Sequence, residues 1–157
     1  QGTGNDFVII DNRDLKFPKE DIQVIERICD RRFGVGADGL MLVENAEGYD
    51  FKMVYYNSDG RQSTMCGNGG RCISAFVLNN KIANRQGRFI AIDGPHDYTI
   101  NEEGLVKLNM IDVNDIEKVG EDYVLFTGSP HYVKFTEDLE KAKASLKDYK
   151  LEVVYKF

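Results

Sequence analysis

The sequence predicts an α/β (α+β) domain in which a curled, mostly antiparallel sheet, or a barrel, wraps around one central apolar helix. Two patterns carry this prediction. Residues 71–80, RCISAFVLNN, are apolar almost all round, with no polar stripe before Asn79 and Asn80. A helix of that kind is enclosed by other structure rather than resting on it. The second pattern is the number of short alternating segments broken by Gly, Asn or Asp, which an antiparallel sheet that curls or closes would produce.

After a glycine-rich opening, DFVIIDN (6–12) is a short apolar strand ending in turn formers. FPKEDIQVIERICDRRF (17–33) puts Pro18 in a first helical turn and Ile22, Ile25, Ile28 and Cys29 at helical spacing. An amphipathic helix is expected there, ended by Gly34 and Gly36. DGLMLVEN (38–45) is a buried strand. YDFKMVYYNSDG (49–60) alternates Phe51, Met53 and Tyr55 with polar neighbours and closes in turn chemistry, so the two strands are expected to pair antiparallel. Beyond the apolar helix, RFIAIDG (88–94), DYTINEEG (97–104), LVKLNMIDV (105–113), DYVLFTG (122–128) and HYVKF (131–135) are strand-like. DVNDIEKVGE (112–121) is polar and is the expected linker. A helix is predicted over 137–149 and a further strand over 150–157.

At 157 residues the chain has room for one ordinary domain, or one domain plus part of another. Charged residues make up 29%, and no apolar run approaches the roughly 20 residues that span a bilayer, so a membrane protein is not expected. A net charge of -6 disfavours a nucleic-acid surface, which needs clustered Lys and Arg. A small polar metabolite or a protein partner is the better expectation. The three cysteines, Cys29, Cys66 and Cys72, are too few for a disulfide framework, and the two histidines make no Cys-His zinc spacing. A reducing cytoplasm fits this usage, and no metal is expected. There is no secretory pattern. The chain begins with Gln1 inside a motif, so trimming at its N-terminus is expected.

MCGNGGRC (65–72) sets Cys66 directly before a glycine-rich helix start. The first residues of a helix present unpaired N–H groups and a partial positive charge. Such a setting can lower a thiol pKa from about 8.5 to roughly 3.5–7.5. Gly67, Gly69 and Gly70 would let a ligand approach the main chain, whose N–H groups could hold a carboxylate. Read alone, the stretch fits equally a small buried thiol in a glycine turn. Cys72, near 240° further round a helix at 100° per residue, is expected to face away from Cys66 into the core. Cys29, in the apolar stripe of the first helix, is also expected to be core.

Three ordered stretches, GTGNDFVIID (2–11), DRRFGVGADGLMLVE (30–44) and NSDGRQSTMCGNGGRC (57–72), resemble the N-terminal half of diaminopimelate epimerases. GSPHYV (128–133) is similar to the family's Gly-Asn-Pro-His segment at the start of a second domain. The resemblance runs from Gln1 to about Leu139. It implies a cofactor-independent epimerase of two similar domains, each a curled sheet around a central helix. Here residues 1–115 would be the first domain and 116–157 the incomplete start of the second. The implied substrate is LL-2,6-diaminopimelate, interconverted with the meso form on the route to lysine and peptidoglycan. The implied mechanism is proton exchange at Cα between two cysteines, one of which Cys66 matches.

Other roles carry over on matching residues. Asn5, Asn57 and Asn68 match substrate-binding asparagines, and the N–H groups of Gly67 and Asn68 would hold the substrate carboxylate. His131 matches a histidine that tunes the thiols, with Pro130 before it setting the local backbone. His96, in GPHD, is read as a turn residue without a role.

Ser129 stands where the family often has a substrate-binding Asn; a hydroxyl can still hydrogen-bond, with fewer donors. Gly39 lies where some relatives carry a polar contact, so no side-chain role is assigned to it. The family's second cysteine, in an Ala-Cys-Gly-Thr-like motif, and its substrate-binding Glu-Arg pair do not occur in this chain. This fragment alone is therefore expected to be inactive, and its partial second domain leaves homodimer formation open. The alternatives are a proline-racemase-like or phenazine-biosynthesis-like isomerase, against which GTGNDF and RRFGVGADG argue together, or a non-catalytic binding domain with a structural Cys66.

Overall fold

The computed structural model describes residues 1–127 and 130–138. Packing divides the chain into two units, Gln1–Met110 and Ile111–Phe157. The helix expected over 137–149 and the strand over 150–157 fall, from residue 139 on, outside the described residues.

The first unit contains β1 (Phe7–Asp11), α1 (Ile22–Cys29), β2 (Gly39–Glu44), β3 (Phe51–Asn57), β4 (Gln62–Ser63), α2 (Gly67–Asn79), β5 (Gln86–Ala91), β6 (Gly94–Ile100) and β7 (Val106–Leu108). Its sheet has the order β1-β2-β3-β5-β6-β7, with β4 paired to β3. β1 with β2 and β3 with β5 run parallel, and the remaining pairs antiparallel, β2 with β3 among them as expected.

The helix α2 touches β1 and β2 near one edge of this sheet and β6 and β7 at the other. A flat sheet of six strands would hold its edges about 24 Å apart, while a helix with side chains is only about 10–12 Å across. The sheet must therefore curl around α2. No residue of α2 before Asn79 is exposed, in keeping with the all-round apolar sequence. The helix begins at Gly67, four residues ahead of the apolar run. Its Gly70 is needed where β7 closes on it, because a Cβ there would lie 2.6 Å from Leu108 Cδ2.

Alternation along the strands sorts two cores. Met41, Val43, Phe51, Met53, Phe89, Tyr98 and Ile100 form one core with Ile73 and Val77 of α2. Leu40, Leu42, Val54 and Tyr56 face the other way, onto Ile25 and Cys29 of α1. β2 is covered on both faces, which is why it reads as an unbroken apolar run. Cys29 is core, as expected.

Three sequence expectations are corrected. α1 starts at Ile22 rather than near Pro18, because the Asp21 carboxylate caps it by accepting from the Gln23 and Val24 N–H groups. His96 is no turn residue. It is buried in β6, stacked 5.3 Å from Phe89, with Nδ1 3.1 Å from the Asn109 carbonyl oxygen. Finally, the expected linker contains a strand, β8 (Ile116–Val119), in the second unit.

In that unit β8 pairs with β9 (Asp122–Phe126), and β9 pairs with β10 (Pro130–Val133), all antiparallel. Gly120, at φ +66°, turns the β8–β9 hairpin. The polar composition of β8 hid it, since all four of its residues are exposed and show no apolar alternation. Among the described residues β10 has only β9 as a neighbour, and Pro130, which has no N–H to donate, is its first residue.

Candidate active site

Register brings one end of the sheet to the mouth of α2. Phe7 lies beside Gly39, and Gly39 beside Asn57. The loop of residues 1–6, Asp38 and the end of β3 therefore share that end. Phe7 and Tyr55 pack against the core that contains α2, so this face of the strands is the one the helix covers.

Cys66 is the N-cap of α2, in extended backbone, and its Sγ accepts from the Gly69 N–H at 3.2 Å. A Cβ at Gly69 would lie 3.2 Å from that Sγ and 3.2 Å from Met41 Sδ, so glycine keeps the thiol in place. The sulfur is half-buried. Burial pushes its pKa up, and this outweighs the downward pull of the Gly69 and Asn68 amides and of Arg71. The helix mouth thus does not by itself make a thiolate here. Desolvation wins, and the resting group is the thiol. Cys72 adds to the upward push on Cys66, so it is within electrostatic reach rather than turned wholly away, although it is half-buried and packs from α2 onto the core.

The contact between Asn5 and Asp38, 33 positions apart in sequence, organises the polar side. Asn5 Nδ2 donates to Asp38 Oδ2 at 3.0 Å, and the Asp6 N–H donates to the same oxygen at 3.2 Å. Arg31 binds both Asp6 oxygens, at 2.9 and 2.7 Å, and Asp38 Oδ1 at 2.7 Å. The guanidinium holds the Asp6 carboxyl well below the usual carboxylate range. Asp38 is lowered as well, chiefly by the Asn5 amide. With its own amide committed to Asp38, Asn5 offers Oδ1 to Asn68 Nδ2, 2.7 Å away. The Asn68 Oδ1 then accepts from Thr3 Oγ1 at 2.8 Å and from Arg71. The opening loop is shaped for this by Thr3 at φ +49° and Gly4 at φ +94°, and by paired main-chain bonds between Gly2 and Asn5.

Among the residues singled out in the sequence, the structure thus gathers Cys66, Gly67, Asn68 and Asn5. Asn57 reaches the same end of the sheet, exposed, its main chain bonded to Gly60 and Arg61. At Gly67 a Cβ would come no closer than 3.4 Å to Arg71 Nη1, so only its N–H could serve a ligand. His131 lies in the second unit on β10, across from Leu125. Ser129 falls outside the described residues.

Sequence reasoning missed Asp38, Arg31, Thr3, Arg71 and Tyr55. The first two stand inside the quoted DRRFGVGADG stretch, where a cation and a carboxylate seven positions apart were the available signal. The assembled arrangement can hold an anionic group on amide donors beside a sulfur able to give or take a proton.

Among described residues no helix is long and apolar enough to cross a membrane. A family model described as diaminopimelate epimerase matches residues 1–115. A diaminopimelate epimerase of Flavobacterium psychrophilum is 56% identical over 140 residues, covering 88% of this chain and 54% of that protein. Another, of Chlorobaculum tepidum, is 37% identical over 147 residues, covering 89% and 57%. The chain spans about half the length of these curated relatives. Among solved structures, a phenazine biosynthesis protein of the PhzF family from Bacillus anthracis matches with TM-score 0.62 at 17% identity, over 91% of this chain and 54% of that one. A hydroxyproline epimerase from Agrobacterium vitis matches with TM-score 0.55 at 10% identity, over 84% and 46%. At such identities the likeness is one of fold alone.

Proposed function

The chain belongs to the diaminopimelate epimerase family, and on that premise we propose that the whole protein interconverts LL-2,6-diaminopimelate and meso-diaminopimelate by cofactor-independent proton exchange at Cα. Cys66 is one of the two exchanging groups. When it acts as base, the thiolate sulfur forms an S–H bond as the Cα–H bond breaks, and the electron pair delocalises into the substrate carboxylate. When it acts as acid, the S–H proton passes to Cα from the same side. The other face is served by a second thiol that this chain does not contain.

The observation that carries this reading is the Gly69 N–H→Cys66 Sγ contact at 3.2 Å, next to the Asn5–Asn68 amide pair. Main-chain N–H groups at a helix start stabilise charge developing on a carboxylate. The half-buried sulfur limits competition from water. In this reading Asn5, Asn57, Asn68, Ser129 and the Gly67 N–H bind the substrate, and His131 tunes the thiols. Residues 116–157 begin a second, similar domain. The small-molecule product would feed lysine and peptidoglycan precursors in a reducing cytoplasm.

Deuterium incorporation at Cα from solvent tests the reading. The full-length gene product should exchange and invert LL-diaminopimelate, and Cys66→Ala should lower the rate by about 10²–10⁴-fold, the usual worth of a positioned acid or base. An unaffected Cys66→Ala variant would overturn it. The 157-residue chain alone should show negligible turnover; repeated inversion by it would contradict the two-thiol scheme.

A further inference from the structure

Tyr55 stands in the mouth of this site with a role that its alternating apolar strand did not announce. Its ring leans across β2 from β3 towards β1, meeting Phe7 edge-on at 6.0 Å between centroids. It can do so because position 39, between them in the sheet, has no side chain. A Cβ at Gly39 would lie 2.5 Å from Tyr55 Cε2 and 3.0 Å from the phenolic oxygen. The phenol thus fills the volume that a residue-39 side chain would take. That volume is on the α2 side of the sheet, immediately beside Asp38.

The chemistry of the group is equally defined. Burial, with the neighbouring charges of Cys66 and Asp38, pushes the Tyr55 pKa up to about 12. The group is therefore a neutral O–H at any working pH. Among the described residues that hydroxyl has no hydrogen-bond partner. Tyr55 is half-buried, and its hydroxyl is not among the buried polar atoms left without a partner, so it is open to solvent or a ligand. Within electrostatic reach of the phenol lie Cys66, Asp38 and Cys29, and the lowered carboxyl of Asp38 is already occupied by Asn5, the Asp6 N–H and Arg31. The phenol is thus a neutral donor at the open position beside Gly39, within electrostatic reach of Cys66 and Asp38.

We propose that Tyr55 is a substrate-contacting residue of the Cys66 site, its phenolic O–H donating to a carboxylate oxygen of the bound amino acid, and that Gly39 is glycine to admit it. This rests on the epimerase reading above. The hydroxyl adds a donor on the strand side of the mouth, opposite the main-chain donors of α2. It would orient the substrate rather than move a proton, so its loss should appear in binding.

The test compares Tyr55→Phe with the wild type in the full-length gene product. Phenylalanine keeps the ring, its Phe7 contact and the occupancy above Gly39, so the variant should melt at the wild-type temperature. We expect KM for LL-diaminopimelate to rise about tenfold, the worth of a hydrogen bond to a charged group. The rate of Cys66 alkylation without substrate should stay unchanged. An unchanged KM would overturn the role of Tyr55 while leaving the epimerase reading intact. A wild-type protein without epimerase activity would instead remove that reading, and the Tyr55 contact with it.

Discussion

Asn5 and Asn68, 63 positions apart, meet through a single hydrogen bond between their side-chain amides: Asn68 Nδ2 donates to Asn5 Oδ1 at 2.7 Å. Its direction is set from outside the pair. Asp38 can only accept, so it draws the Asn5 amide nitrogen towards itself and turns the Asn5 oxygen to the helix mouth. Thr3 and Arg71 then occupy the Asn68 oxygen. Two amides beside the thiol are thereby held in one of their two orientations by a carboxylate that touches neither the sulfur nor the helix.

Replacing that carboxylate should therefore disturb binding more than folding. Asp38→Ala releases the Asn5 amide, and kcat/KM of the full-length protein should fall roughly tenfold, the worth of one charged hydrogen bond. Steady-state kinetics with a parallel thermal melt would check this. Wild-type kcat/KM in a folded Asp38→Ala variant would show that the orientation of the amides does not matter.

Alkylation of Cys66 should be slow at neutral pH. Burial raises the thiol pKa in the folded chain, so folding favours the protonated form. Its contribution to stability is complete below the unfolded pKa and is lost as pH rises through the folded one. Site-resolved mass spectrometry of iodoacetamide labelling should place the Cys66 midpoint above the roughly 8.5 of a free cysteine. A midpoint below that value would mean that the helix amides overcome desolvation.

Gly69 and Gly67 should answer differently to a methyl group. Gly69→Ala places a Cβ 3.2 Å from both Cys66 Sγ and Met41 Sδ, so overpacking should cost about 1–3 kcal/mol and shift the sulfur. Gly67→Ala meets nothing closer than the flexible Arg71 guanidinium at 3.4 Å, and should leave stability unchanged or raise it by up to about 1 kcal/mol. Denaturant unfolding of the two variants measures the contrast, and equal losses would contradict it.

What could be read from the chain was local. An apolar run without a polar stripe required an enclosed helix, and α2 is enclosed. The strands at 6–12, 38–45 and 49–60 follow from short-range alternation and turn residues, and the glycine run after Cys66 located the helix mouth. The linker failed for the same reason, because β8 is made by a hairpin partner and not by its own pattern.

Folding alone decided which way the balance at Cys66 falls and who stands around it. Helix position, legible from neighbours in the chain, favours the anion; burial favours the thiol, and burial depends on strands that close around α2. Asp38, Arg31 and Tyr55 join the site through tertiary structure, with partners as far apart as Arg31 and Asp6, 25 positions, and Asn68 and Asn5, 63 positions. A period of two says which face a residue takes, but not which residue of another strand it will find there.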